Sequence, residues 1–159
     1  MAELIIFDCY GTIVPAGDDP NFRYAVRQGF HRLLYHYEDD RKMAVFSDAD
    51  KRTLDFCLLK VGLGRLDAYN EDHLTLERLK NLAVVCSDFE VEPSNSVFIG
   101  DNYADRDRLS AEQYGVNFIQ IPQYRLTPIS ENDRKHYEKW LIHDDPRKPW
   151  SFEELIGSL

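Results

Sequence analysis

Cysteine is scarce in this chain of 159 residues: there are three, Cys9, Cys57 and Cys86. An odd number at wide spacing argues against a disulfide framework and for reduced thiols in a cytoplasmic protein. Cys57 and Cys86 fall in apolar helical patterns and read as small core residues. Positive charge is also short, with 19 Lys and Arg against 28 Asp and Glu and a net charge of −9. No dense basic block is present, so nucleic acid is not an expected partner. A local basic pocket for an anionic substrate is compatible with that balance. No apolar run approaches the ~18 residues of a membrane helix, so no membrane partner is expected, and no targeting segment is expected either. The chain lacks a Gly-rich Lys-Ser/Thr loop for nucleotide phosphates and a Gly-x-Ser-x-Gly nucleophile elbow. His31, His36 and His73 have no second partner at metal-ligand spacing.

Against these absences stand 43% hydrophobic and 13% aromatic residues, enough for one globular core. The apolar run Leu4–Phe7 has strand length and ends in Asp8-Cys9-Tyr10-Gly11-Thr12. A turn-rich stretch follows, with Pro15 and Gly17. Asp19-Pro20 then reads as a helix start, because Phe22, Val26, Phe30, Leu33 and Tyr37 recur at helical spacing. Tyr24, His31 and Tyr35 lie off that apolar stripe, as an ordinary amphipathic rim or as the lining of a partner surface or a site entrance. Met43–Phe46 is a second strand, ending in Ser47-Asp48. A helix is expected over Lys51–Val61, stopped by Gly62 and Gly64, and a short strand over Leu66–Tyr69. A third helix is expected from Leu79 to about Cys86. Val97–Ile99 reads as a strand ending in Gly100-Asp101, Asp105–Tyr114 as a helix closed by Gly115, and Asn117–Ile121 as a strand.

Strands alternating with helices imply parallel pairing and right-handed crossovers. The expected fold is α/β, a Rossmann-like three-layer sandwich with a mainly parallel central sheet. In such a sheet ligands bind beyond the carboxyl ends of the strands. Asp8, Ser47 and Asp101 all follow strand ends, so their loops share one edge.

The run Asp8-Cys9-Tyr10-Gly11-Thr12 resembles the first motif of the haloacid dehalogenase (HAD) superfamily, usually Asp-x-Asp-Gly-Thr. The resemblance extends over roughly residues 3 to 122. It implies that Asp8 is a nucleophile forming an aspartyl-phosphate. It places Ser47 as the second-motif hydroxyl on the phosphoryl group, and assigns Thr12 and Asp48 with Ser47 to substrate. Lys80, in Leu79-Lys80-Asn81-Leu82, is similar to the third-motif Lys, with Arg78 as competitor. Gly100-Asp101-Asn102-Tyr103-Ala104-Asp105 resembles the fourth motif, with Asp105 as its second acid and Asp107 as the alternative. The implied cofactor is Mg²⁺, held by Asp8, the Tyr10 carbonyl, Asp101 and Asp105, since crowded carboxylates and a phosphate need a divalent counter-charge.

Tyr10 departs from the usual motif. It keeps the backbone carbonyl and lacks the carboxyl that acts as general acid and base, a group worth ~10²–10⁴ in rate. The form Asp-x-Tyr-Gly-Thr is similar to that of two-haloacid dehalogenases. Those enzymes have a helical cap domain and a Ser-rich fourth motif, whereas here only about 35 residues separate Asp8 from Ser47. The resemblance therefore implies a capless member. Three readings follow: a Mg²⁺-dependent phosphohydrolase, slowed by Tyr10; a non-catalytic binding relative; and a carbon-directed hydrolase of dehalogenase type. Without a cap, the phosphorylated substrate can be macromolecular, or a partner or second copy can cover the site.

Beyond Pro122 the resemblance fades. The core is expected over 1–124 and a helical extension over 125–159, packed on the core or on a partner. Asn132–Leu141 reads as a charged helix and Trp150–Ile156 as a short amphipathic one, with Trp140 and Trp150 expected to be largely buried.

Overall fold

The computed structural model describes all 159 residues. Five strands form one parallel sheet: β1 (Leu4–Phe7), β2 (Lys42–Phe46), β3 (Asp67–Tyr69), β4 (Ser96–Gly100) and β5 (Asn117–Gln120), in the order β3-β2-β1-β4-β5. The α-helices are α1 (Phe30–Tyr37), α2 (Lys51–Lys60), α3 (Leu82–Phe89), α4 (Arg106–Tyr114) and α5 (Glu131–Tyr137). This is the expected three-layer α/β class, and no cap domain is inserted. No helix is long and apolar enough to cross a membrane.

The strand sequences explain the layering. Along β1, Ile5 and Phe7 point to one face, with α1 and α2, while Leu4 and Ile6 point to the other, with α3 and α4. A central parallel strand buried on both faces is apolar at every position, not alternating. Register fixes the site: Phe7 pairs with Ile99 of β4, so Asp8 and Gly100-Asp101 leave the sheet side by side. Asp50 starts α2 by accepting the Thr53 N–H at 2.8 Å, and Gly115 ends α4 with a φ of 70°.

Two helices differ from expectation. Asp19 does not cap a helix; its carboxylate accepts N–H groups from Asn21, Leu126 and Thr127. Residues 20–29 instead form an irregular flap, and α1 begins only at Phe30. The Arg27 N–H is taken by Ile13, and its buried guanidinium donates to the Pro122 carbonyl at 2.5 Å and to Asp144. These long-range contacts outweigh the local helical pattern of Phe22 and Val26. The third helix starts at Leu82, not Leu79, because Lys80 bridges to Leu74 and Arg78 takes a φ of 63°.

The C-terminal segment returns to the core. Phe152 is fully buried against Phe7 and Phe30, with ring centroids 6.1 and 5.0 Å away, which is worth roughly 1.5–3 kcal/mol of apolar burial. The Tyr37 hydroxyl accepts the Gly157 N–H at 2.7 Å. Gly29, at a φ of 82°, lets this segment close, since a Cβ there would strike Ser151 and the Glu153 backbone. Trp140 and Trp150 are each more than half buried, in keeping with expectation, and Trp150 packs on the core and lies over the buried Arg27 at 4.8 Å. Phe152, which has no polar edge, is the anchor. The charged helix is α5 followed by a 3₁₀ turn over Glu138–Trp140, and Phe152–Leu155 is a 3₁₀ turn.

Candidate active site

Asp8 continues the β1 ladder, its N–H donating to Ile99 at 2.9 Å, and its side chain leaves the sheet edge. Asp101 leaves β4 beside it, and Asp107 comes from the first turn of α4. One carboxylate oxygen from each lies within 4.8 Å of the others, and all three residues are buried. Two glycines permit this crowding. A Cβ on Gly11 would strike the Asp101 carboxylate, and one on Gly100 would strike that of Asp107.

Lys80 is the counter-charge. Its ammonium donates to Asp8 Oδ1 and Asp107 Oδ1, both at 2.8 Å, and sits 5.1 Å above the Phe98 ring. Its backbone N–H donates to Ser110 Oγ, which fixes the loop from which it reaches. Thr12 donates to Asp8 Oδ2 at 2.9 Å, Asn102 N–H to Asp107 Oδ2 at 3.0 Å, and Gln123 Nε2 to Asp101 Oδ2 at 2.9 Å. One ammonium against three carboxylates leaves two negative charges in excess. Burial pushes Asp8 well above the usual carboxylate range, with Asp107 and Asp101 adding to the effect and Lys80 opposing it. Burial and Asp107 push Asp101 up to about 6. On Lys80, burial opposes the charge, but Asp107 and Asp8 outweigh it and hold the ammonium above its ordinary value. All-oxygen donors with a surplus of negative charge suit a hard divalent cation.

The cluster forms the floor of a cavity of about 480 Å³, within the usual range for small-molecule sites. Tyr10, Asp48 and Arg78 also line it. Tyr10 packs its ring on Phe22 at 6.0 Å, and burial raises its hydroxyl above the ordinary phenol range, so it stays protonated and is a poor base. Arg78 lies at the exposed rim, not on the floor, so Lys80 is the cation that meets Asp8.

Several expected residues lie elsewhere. Asp105 is outside the cluster: it is held by Arg108 at 2.9 and 2.6 Å and by Asn102 Nδ2 at 3.1 Å, and Arg108 lowers its pKa. Asn102, Ala104 and Asp105 all have positive φ. That left-handed run turns Asp105 outward and brings Asp107 in. Ser47 is buried behind the cavity wall and accepts the Ala49 N–H at 3.1 Å. Thr12 is fully buried and bonded to Asp8, so it orients the Asp8 carboxylate and does not face the cavity. Asp48 is exposed, 3.9 Å from Arg106. His31 and Tyr35 sit at a separate shallow depression beside Glu153, while Tyr24, on the flap, lines the mouth of the main cavity.

The sequence reading did not single out Gln123, Tyr103 or Arg106. Gln123 lies three residues beyond the end of β5, at the same edge of the sheet as Asp8 and Asp101, so a strand-end rule extended into the following loop also points to it. Nothing local marks Tyr103, because the backbone turn that presents it is built from non-glycine residues.

No protein-family model matches the chain, and no curated protein matches its sequence. Solved structures do. The chain is similar to a HAD-superfamily hydrolase, subfamily IA, variant 1, from Geobacter sulfurreducens PCA. The TM-score is 0.61 at 17% identity, over 79% of this chain and 95% of that one. It is also similar to the core domain of a protein described as a phosphoglycolate phosphatase from Streptococcus pneumoniae TIGR4. There the TM-score is 0.51 at 13% identity, over 86% of this chain and 96% of that one. At such identities the likeness is one of fold. The chain has the fold of the HAD-like hydrolases, without an inserted cap domain.

Proposed function

We propose that this chain is a Mg²⁺-dependent phosphohydrolase in which Asp8 takes the phosphoryl group. The observation that carries the reading is the buried trio Asp8, Asp101 and Asp107, with Lys80 as its sole cation, on the floor of the main cavity. Asp8, Asp101 and the Tyr10 carbonyl would hold Mg²⁺, with Asp107 supporting through Lys80. When bound, the ion offsets charge on the phosphoryl oxygens. Thr12 and Lys80 orient the Asp8 carboxylate. That carboxylate forms a bond to phosphorus as the bond to the leaving oxygen breaks, and water then hydrolyses the acyl phosphate. Lys80 stays charged throughout and balances the nucleophile. Tyr10 supplies no base, so the leaving group departs without the carboxylic acid usual at this position. Tyr10 by itself favours a carbon-directed reaction, in which halide leaves without a proton. The second and third carboxylates argue the other way, because halide displacement has no use for a divalent cation.

The test is phosphate release from phenyl phosphate with and without Mg²⁺, in the wild type, Asp8→Asn and Asp101→Ala. The expected result is Mg²⁺-dependent release that falls to background in Asp8→Asn. Thermal melts provide a second reading, because Mg²⁺ at 100 times its Kd stabilises a site by ~2.7 kcal/mol. The midpoint should rise in the wild type and not in Asp101→Ala. Metal binding with no turnover on a broad phosphate panel would favour a binding protein, and halide release from haloacids without metal would favour the carbon-directed reading.

A further inference from the structure

The cavity narrows chemically from floor to mouth. At the floor every side chain is an acid, a base or an amide. Above it stand four aromatic rings, Tyr10, Phe22, Tyr24 and Tyr103. Phe22 and Tyr24 come from the flap, Tyr10 from the turn after β1 and Tyr103 from the loop after β4. The first three form a chain of rings, with Tyr10 to Phe22 at 6.0 Å, Phe22 to Tyr24 at 5.2 Å and Tyr24 to Phe56 on α2 at 5.5 Å. The last two contacts are edge-to-face, at 86° and 76°, which supports Tyr24 while leaving it 42% exposed. Tyr103 is 36% exposed and is backed by Tyr137 at 4.6 Å. The stretch between Tyr10 and the flap adds Ala16, Gly17 and Asp18, and the remaining wall adds Asp48, Thr53, Arg78 and Arg106. Asp8 is buried, so whatever a phosphoryl group is attached to leaves through this mouth, where the rings supply most of the apolar surface.

We infer that the substrate of this site is an aryl phosphate, a phosphomonoester whose leaving group is a flat aromatic ring held by Tyr24 and Tyr103. The inference rests on the phosphohydrolase reading for its chemistry, and a second observation supports it independently of the rings. Position 10 has no carboxyl group to protonate a leaving oxygen. A bond forms between an Asp8 oxygen and phosphorus, the phosphorus–oxygen bond to the ring breaks, and the aryloxide leaves with the bonding pair. It then takes a proton from water. A phenol has a pKa near ~10, far below that of an alkyl alcohol, so an aryloxide is the leaving group that least needs the missing acid. An alkoxide leaving from the same site would need it. The recognition and the chemistry thus select the same class.

Stable phosphonates separate recognition from turnover. Benzylphosphonate and cyclohexylmethylphosphonate have the same number of carbons and are not hydrolysed. Their affinities for the full chain with Mg²⁺ are measured by titration calorimetry. Benzylphosphonate is expected to bind roughly tenfold tighter, the value of one to two aromatic contacts beyond simple burial. Tyr24→Leu and Tyr103→Leu, on different loops and both partly exposed, should each shrink that ratio below about threefold. Equal binding of the two phosphonates in the wild type, a ratio that survives in both variants, or no binding of either would overturn the inference. If the ratio holds and falls in the variants while phenyl phosphate is not hydrolysed, the aromatic site stands and the phosphohydrolase reading alone fails.

Discussion

The floor and the mouth of the same cavity are built on opposite principles. On the floor, Asp8, Lys80, Asp101 and Asp107 are buried and tied to one another or to Thr12, Asn102 and Gln123 within 3.0 Å. At the mouth, Tyr24 and Tyr103 are partly exposed, and Arg78 takes part in none of the chain's ion pairs. Asp8 and Asp101 hang on strand ends, whose positions the sheet dictates, Asp107 comes from the first turn of α4 and Lys80 from a loop, and their charges fix each other. The mouth hangs on loops held by a few long-range contacts. A fixed charged floor under a loop-built rim matches the general division in which a rigid scaffold positions groups and loops set what is bound.

The largest expected effect comes from unbalancing the floor. Lys80→Ala leaves three buried carboxylates without their cation, and loss of one partner from a buried charge pair costs roughly 3–5 kcal/mol. Urea unfolding without metal should show that loss, and added Mg²⁺ should recover part of it. A loss below about 1 kcal/mol would mean that the carboxylates do not depend on Lys80.

Next in size is the exchange that brings floor chemistry to the edge of the mouth. Tyr10→Asp restores a carboxyl group where the motif usually has one. Hydrolysis of pentyl phosphate should rise by up to ~10²-fold, the lower end for general acid–base help, and phenyl phosphate should gain less. No rise in a folded, Mg²⁺-responsive variant would show that more than this one group is missing.

The flap itself depends on Asp19. Burial works against its charge, but the N–H groups of Asn21, Leu126 and Thr127 hold its carboxyl below the ordinary 3.8. A depressed folded pKa gives stability that is present above the unfolded value and is lost as pH falls through the folded one. Asp19→Ala should therefore cost about 1.5–3 kcal/mol at pH 7, and the gap to wild type should close below about pH 4. A gap that is equal at pH 3 and pH 7 would contradict the assignment. The smallest effect is at the rim. Arg78 sits at a φ of 63°, a conformation that glycine adopts freely, so Arg78→Gly should stabilise the chain by about 0.5 kcal/mol. Unchanged or lower stability in urea would mean that the Arg78 side chain has packing worth keeping.

The same division governs what was legible in the sequence. The strands read correctly because Leu4–Phe7 and Val97–Ile99 are buried on both faces and leave continuous apolar runs. Placing Asp8 beside Asp101 needed only those runs and parallel pairing. The loops were harder. Phe22 and Val26 keep helical spacing, yet Arg27 is drawn to Pro122 and Asp144, residues about a hundred positions away, and the segment stays irregular. Asp105 and Asp107 could not be told apart because the choice turns on positive φ at Asn102, Ala104 and Asp105, and none of these is a glycine that would announce it. The apolar spacing around Leu79 puts Lys80 on a helix, but Lys80 reaches Asp8 from the loop before α3, so its contact with Asp8 does not depend on that helix.

The central claim is that Asp8 accepts a phosphoryl group on this floor. The direct measurement is acid quenching during turnover of phenyl phosphate with Mg²⁺, followed by mass analysis of the peptide that carries Asp8. The predicted result is one added phosphoryl group on that peptide, dependent on Mg²⁺ and absent in Asp8→Asn. Phosphate release with no acyl phosphate on Asp8, or undiminished release by Asp8→Asn, would contradict it.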